Sequence, residues 1–213
     1  MIPRSPLPLS QPRLLIGEGT EDVRFCQALL RHLGINDVQV EPYGGKAGLR
    51  AYLHAVRLRP DFGRLRALAI IRDADTNATS AFHSVRDALR ANHFVTPEAS
   101  GQWVGDEVRV GVWIMPDAHS AGMLEDLCLA AVQQDAAMVC VAEYFRCVFQ
   151  SQPTPPNHLA KARIHAWLAS RAETDVRLGE AAEKGYWPWA SVAFIPFRTF
   201  LQDIEEAQSA SSG

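Results

Sequence analysis

Four carboxylates in two short clusters are the residues of this chain best suited to chemistry: Glu18 and Asp22 in LLIGEGTED, and Asp73 and Asp75 in LAIIRDAD. Each cluster follows an apolar, β-branched run and precedes a helical pattern. In an open α/β sheet that position is the carboxyl end of a strand, where such sheets bind ligands. Four carboxylates converging there repel one another unless a cation sits among them. An all-oxygen donor set suits magnesium or manganese, which also accept phosphate oxygens. Asp73 and Asp75 are alternate residues, so both can leave a strand on the same side and reach one ion. Glu18 stands between Gly17 and Gly19, which permits a tight strand-to-helix turn. Each acid also has a structural alternative. Glu21 and Asp22 fit the first turn of a helix, where the dipole favours negative charge. DAD ahead of Thr76 and Asn77 fits a polar turn. MPDAHSAGMLEDL adds Asp117, Glu125 and Asp126. Glu125 could complete a second metal site, Asp117 is a further candidate, and Asp126 reads equally as a solvated helix start.

Lysine usage adds to this. Of 21 basic residues only Lys46, Lys161 and Lys184 are lysine. The ammonium is compact and its pKa tunable, whereas a guanidinium stays charged. Lys46, in the glycine-rich loop GGKAG, could contact phosphate or be a solvated loop residue. Lys161 opens KARIHAWL and could stabilise a leaving group or simply lie on the surface. RLRPDFGRLR brings Arg57, Arg59, Arg64 and Arg66 together as the nearest thing to a nucleic-acid lane. Its alternative is a solvated loop and helix end. The seven histidines show no HxH or HExxH spacing, and His119 reads as a loop residue. Trp187 and Trp189 in YWPW could stack on bases but read more simply as packing.

Composition bounds these readings. The chain has 213 residues, 47% hydrophobic and 21% charged, the profile of a globular α/β domain with an ordinary core. A net charge of -3 excludes recruitment of nucleic acid by overall charge. No apolar run approaches the ~18 residues of a membrane span. Cys26, Cys128, Cys140 and Cys147 lie in apolar helical contexts without CxxC spacing, so buried free thiols in a cytoplasmic setting are expected. MIPRSPLPLSQPR has no apolar segment of the secretory kind.

The elements that must position the acids follow from periodicity. Strands are predicted at 13–17, 37–43, 66–73 and 108–116, and helices at 20–33, 49–58, 78–92 and 120–132. This alternation implies a mostly parallel sheet with right-handed crossovers. Further helices are expected at 135–150 and 158–171, separated by SQPTPPN, followed by GYWPWA and VAFIPFRTF. The expected organisation is a flexible leader (1–12), an α/β core (13–134), a helical C-terminal addition packed on it (135–203) and a disordered tail (204–213).

A Glu at the end of a first strand followed by a DxD at the end of a later one resembles the TOPRIM domain. The resemblance is closest to the OLD-nuclease-like branch and to small stand-alone proteins of the DUF3226 type. GEGTED, RDAD, GMLEDL and KARIHAWL carry it, from about residue 13 to 170. It implies a TOPRIM-like, Rossmann-like sheet whose acids hold one or two Mg2+ (or Mn2+) ions acting on a phosphodiester, in DNA before RNA. Glu18 would ligate metal or act as general acid/base. Asp22, Asp73, Asp75 and Glu125 would be further ligands, and Lys161 would stabilise transition-state charge. Without an attached ATPase domain, a partner ATPase or other protein in trans, or a homo-oligomer, is a candidate partner. The alternatives are a non-catalytic metal- or nucleotide-binding module in a repair or phage-defence complex, and a small-molecule phosphotransferase or phosphohydrolase.

Overall fold

The computed structural model describes residues 8–152 and 154–205. Five strands form one sheet in the order β2-β1-β3-β5-β4. Strands β1 (Arg13–Gly17), β2 (Val38–Pro42), β3 (Ala67–Asp73) and β5 (Arg109–Met115) are parallel, while the two-residue β4 (Trp103–Val104) pairs antiparallel at one edge. The architecture is therefore α/β with a mostly parallel sheet. β4 was not expected, because two residues carry no periodicity.

Side chains alternate across the sheet and feed two apolar layers. Leu14, Ile16, Leu68, Ile70, Val110, Val112 and Ile114 pack under α2 (Leu49–Arg57) and α3 (Ala78–Ala91). Leu15, Ala67, Ala69, Ile71, Trp113 and Met115 face a larger layer. That layer is built from α1 (Thr20–Leu33), α4 (Leu124–Ala131), α5 (Ala137–Ser151), α6 (Leu159–Ala169), α7 (Leu178–Glu183) and α8 (Ile195–Gln202). β3 is buried from both sides, which explains its near-continuous apolar sequence.

The C-terminal third shares this larger layer with the strands. Phe194, Phe197, Phe200, Leu201 and Ile204 are buried in the same cluster as Leu15 and Ile71. Trp187 is buried, stacks on Trp167 at 5.3 Å, and donates its indole N–H to the Leu178 carbonyl. It packs against helices and is closed to bases. α7 lies tight on α1: a Cβ at Gly179 would stand 2.5 Å from the Arg24 Cβ, and the Gly179 N–H donates to Glu21 Oε2 at 2.9 Å.

Some expectations need correction. Cys26 and Cys128 are buried, but Cys140 and Cys147 are exposed on α5, which buries only Val141 and Phe145. The helix expected from Ser120 begins at Leu124 instead. Asp117 Oδ1 accepts from the His119 and Ser120 N–H groups in a turn, and Asp126 Oδ2 caps Met123 N–H. Of the leader, residues 1–7 lie outside the described residues. Leu9 is buried, and its N–H donates to Asp61. Of the tail, Ile204 is buried and residues 206–213 lie outside the described residues. Among the described residues, no helix is long and apolar enough to cross a membrane.

Candidate functional site

The acids gather where β1 and β3 end. β1 stops at Gly17, and the chain turns through Glu18 and Gly19 into α1. The turn is tight enough that a Cβ on Gly17 would lie 2.9 Å from the Asp22 Cβ. Gly17 is therefore fixed by close approach, whereas Gly19 is extended and uncrowded. Asp22 Oδ2 accepts from Gly19 N–H at 2.7 Å, so it caps α1 and still faces the sheet edge.

β3 delivers Asp73, whose Oδ1 accepts from Leu124 N–H at 3.1 Å. That bond seats the start of α4 beside β3, and α4 in turn presents Glu125. Asp75 follows, joined to Gly122 by two backbone hydrogen bonds of 2.8 Å. The two acid-bearing loops are thus tied together.

Asp22, Asp73, Glu125 and Lys161 line one cleft of about 420 Å³ with Glu21, His165 and Arg177. Lys161 Nζ lies 3.2 Å from Glu125 Oε1. Glu18 and Asp75 extend the acidic line toward α2, where Lys46 pairs with Asp75. Arg72, in the same motif as Asp73, adds positive charge near Glu18.

Burial, reinforced by neighbouring carboxylates, raises the Glu18, Asp22 and Asp73 pKa values. Burial pushes Asp73 up to about 8, with Asp22 and Glu125 adding to the rise. Asp22 goes to about 6, chiefly by burial; the Gly19 N–H opposes this, and Glu18 and Glu125 reinforce it. Glu18 is raised by burial, offset in part by Lys46 and Arg72. Its Oε2 is buried without a hydrogen-bond partner. Among the described residues, no three His, Cys, Asp or Glu side chains form a group able to hold a metal ion as they stand. The donor chemistry nonetheless fits a hard cation. The donors are all oxygen, one buried carboxylate oxygen is orphaned, and neighbouring acids resist shared ionisation. Gathering the set around an ion would require Lys46 and Lys161 to release Asp75 and Glu125.

The expected basic lane is not joined to this cluster. Arg64 and Arg66 flank the start of β3, and the Arg66 N–H donates to the Pro12 carbonyl. Asp73 ends the same strand seven residues on, about 20 Å away. Arg59 is buried and bonded to Glu41 and the Tyr52 hydroxyl. Arg57 lies over the Phe62 and Phe94 rings. Only Lys46 of the proposed nucleic-acid contacts borders the acids. Sequence reading missed Arg72, His165 and Arg177. His165 was findable, being four residues from Lys161 on the same helix face. Arg177 precedes a six-residue helix that left no periodic signal.

The family model described as "Protein of unknown function (DUF3226)" matches residues 12–206. The chain belongs to the DUF3226 family. No curated protein matches it. Among solved structures, it is similar to hypothetical protein PH0156 from Pyrococcus horikoshii OT3, with a TM-score of 0.61 and 16% identity over 91% of this chain and 95% of that one. It is also similar to the C-terminal region of the Xanthomonas campestris pv. campestris OLD protein, with a TM-score of 0.50 and 12% identity over 91% of this chain and 96% of that one. At these identities the shared feature of this DUF3226 protein is its fold.

Proposed function

We propose that this DUF3226 protein is a TOPRIM-type phosphoryl-transfer enzyme that hydrolyses nucleic-acid phosphodiesters with magnesium or manganese. The observation that carries the reading is the convergence of Asp22, Asp73 and Glu125 on one cleft with Lys161 at its rim. The OLD-like fold supports it. Glu18, Asp22, Asp73, Asp75 and Glu125 would hold the ions. Such ions supply the positive charge that the attacking and leaving oxygens of an in-line displacement need.

The chain's own groups divide the remaining work. Glu18, raised by burial and with one free oxygen, is suited to accept or return a proton. Lys161 is half exposed on its helix and can turn from Glu125 toward charge building on phosphate. Leu124 and Leu178 wall the cleft and limit water around the acids. A second reading, a non-catalytic binding module, draws on the two lysine–carboxylate pairs, which already neutralise Asp75 and Glu125.

Cleavage of labelled single- and double-stranded DNA and RNA with magnesium or manganese separates the two. Cutting by the wild type that both Glu18→Ala and Asp73→Ala abolish is the expected result. A folded wild type that binds the metal yet cuts nothing favours the binding module. Cutting that survives both substitutions places the chemistry elsewhere.

A further inference from the structure

One wall of the acid cleft carries basic side chains, two of which the proposed hydrolysis has not used. Lys161 and His165 lie four residues apart on α6, so they share a face. Arg177 lies at the start of α7, its backbone N–H held by Glu180 Oε2 at 3.2 Å. All three line the cleft that holds Asp22, Asp73 and Glu125. Lys161 is occupied by Glu125. Among the described residues, the His165 ring has no hydrogen-bond partner, and the Arg177 guanidinium forms no ion pair within 4 Å, although its charge helps to lower the Glu180 pKa.

We propose that His165 and Arg177 are substrate-phosphate-binding residues that draw an unpaired nucleic-acid strand into the cleft; this rests on the phosphodiester reading above. A polyanion cannot approach an acidic floor without opposing charge, and the net charge of -3 supplies none at long range. The arginine lane at the other end of β3 is too far away to supply it. His165 and Arg177 are donors within the cleft that no direct ion pair occupies. A guanidinium grips phosphate oxygens through paired N–H groups, and an imidazole adds one directed bond. The cleft also selects the strand. Its volume of about 420 Å³ is near the small end for ligand sites and fits about one nucleotide unit. A single strand or frayed end can lower one phosphate to Asp73. A paired duplex would need to unpair first.

The test is equilibrium binding of a fluorescein-labelled single-stranded 12-nucleotide DNA in calcium, across a salt series, with Mn2+ binding followed separately by paramagnetic resonance. Arg177→Ala should lower the salt slope by about 0.7, the share of one phosphate contact on a single strand. Arg177→Lys should restore it, which a structural role would not predict. His165→Ala should weaken binding several-fold, and the double alanine variant about tenfold or more, with Mn2+ binding and melting unchanged. A closed hairpin duplex should bind more weakly than the strand. The inference is overturned if the double variant matches the wild type in affinity and slope. Cleavage that depends on Glu18 and Asp73 would then still stand. It is also overturned if the wild type binds Mn2+ but no strand. A wild type that binds neither brings down the hydrolytic reading as well.

Discussion

Two of the places where this protein buries charge are built oppositely. On edge strand β2, Glu41 is buried, and it accepts hydrogen bonds from Gln39, from the Tyr52 hydroxyl and, at 2.8 Å, from Arg59, which is itself buried. A negative charge there meets a positive one and two further donors. At the ends of β1 and β3, burial raises the Asp22 and Asp73 pKa values, neighbouring carboxylates add to the rise, and Glu18 Oε2 has no donor at all. In the first arrangement the carboxylate is satisfied within the chain, although Arg59 Nε and Nη1 are buried without acceptors, and the pair serves architecture. The second is incomplete, and its deficit is positive charge. Burial alone does not mark a site; burial without a counter-charge does.

Substituting one residue in each place sharpens the contrast. Asp73→Asn keeps an oxygen that can accept from Leu124 N–H but removes a group that burial makes costly to ionise. We expect cleavage to fall by about a hundredfold or more, on the scale of losing one transition-state charge contact. The metal-free protein should gain about 2 kcal/mol, roughly 5 °C for a chain of this size. Single-turnover cleavage and calorimetry in EDTA measure the two. A variant that loses activity and stability together would place Asp73 among the structural residues.

Glu41→Ala should do the reverse. It strands the Arg59 charge in the interior, which costs about 3–5 kcal/mol, or roughly 10 °C in melting temperature. Activity per folded molecule should not change. Replacing both partners with apolar residues, as in Glu41→Leu with Arg59→Met, should recover much of the loss. Denaturant melts of the three proteins test this. A double variant no more stable than Glu41→Ala would mean that the pair does more than neutralise itself.

The two places also differ in their response to pH. Asp22 and Asp73 titrate near 6 and 8 in the folded protein, above the ordinary aspartate value of 3.8. Between the unfolded and folded values the native state holds the extra protons. Stability is therefore greatest below the unfolded value and is lost as pH rises through the folded ones. In EDTA the melting temperature should drop by a few degrees from pH 5 to pH 9, and the drop should shrink in Asp73→Asn. Magnesium should reverse it at the alkaline end, because metal binding requires the deprotonated carboxylates. A flat profile in EDTA would show that burial and the neighbouring charges do not raise these two carboxyls.

Much of this was legible in the sequence, and the reasons are specific. β1 over RLLIG and α1 over Thr20–Leu33 occur at the expected residues, since an apolar run broken by GEG and then a 3.6-residue period leave little freedom. The acid set was legible because strand ends in a parallel sheet fall on one edge. Asp126 and Asp117 proved to be caps, which residue type alone does not separate from a ligand. β4, α7 and α8 were illegible, being too short for periodicity and set by packing on Trp113, α1 and the apolar layer. The arginine lane failed for a topological reason. RLRPDFGRLR is contiguous in sequence, but α2 carries the chain back before β3 begins, so its arginines and the β3 aspartates occupy opposite ends of the sheet.

That failure yields the smallest expected effect and the cleanest control. Arg64 and Arg66 are exposed, and among the described residues the Arg66 guanidinium donates only to the neighbouring Gly63 and Leu65 carbonyls. Arg64→Ala with Arg66→Ala removes two positive charges from a protein that is already acidic. If nucleic acid bound through diffuse surface charge, the salt slope of strand binding would fall by about 1.4, two contacts at about 0.7 each. Screening over a Debye length of about 10 Å, against a separation of about 20 Å from Asp73, predicts no change in slope and none in cleavage. Strand-binding titrations at several salt concentrations decide between these outcomes. A full loss of slope would mean that the strand runs the length of β3 to the amino end of the sheet, and that the site is larger than the cleft between α1, α4, α6 and α7.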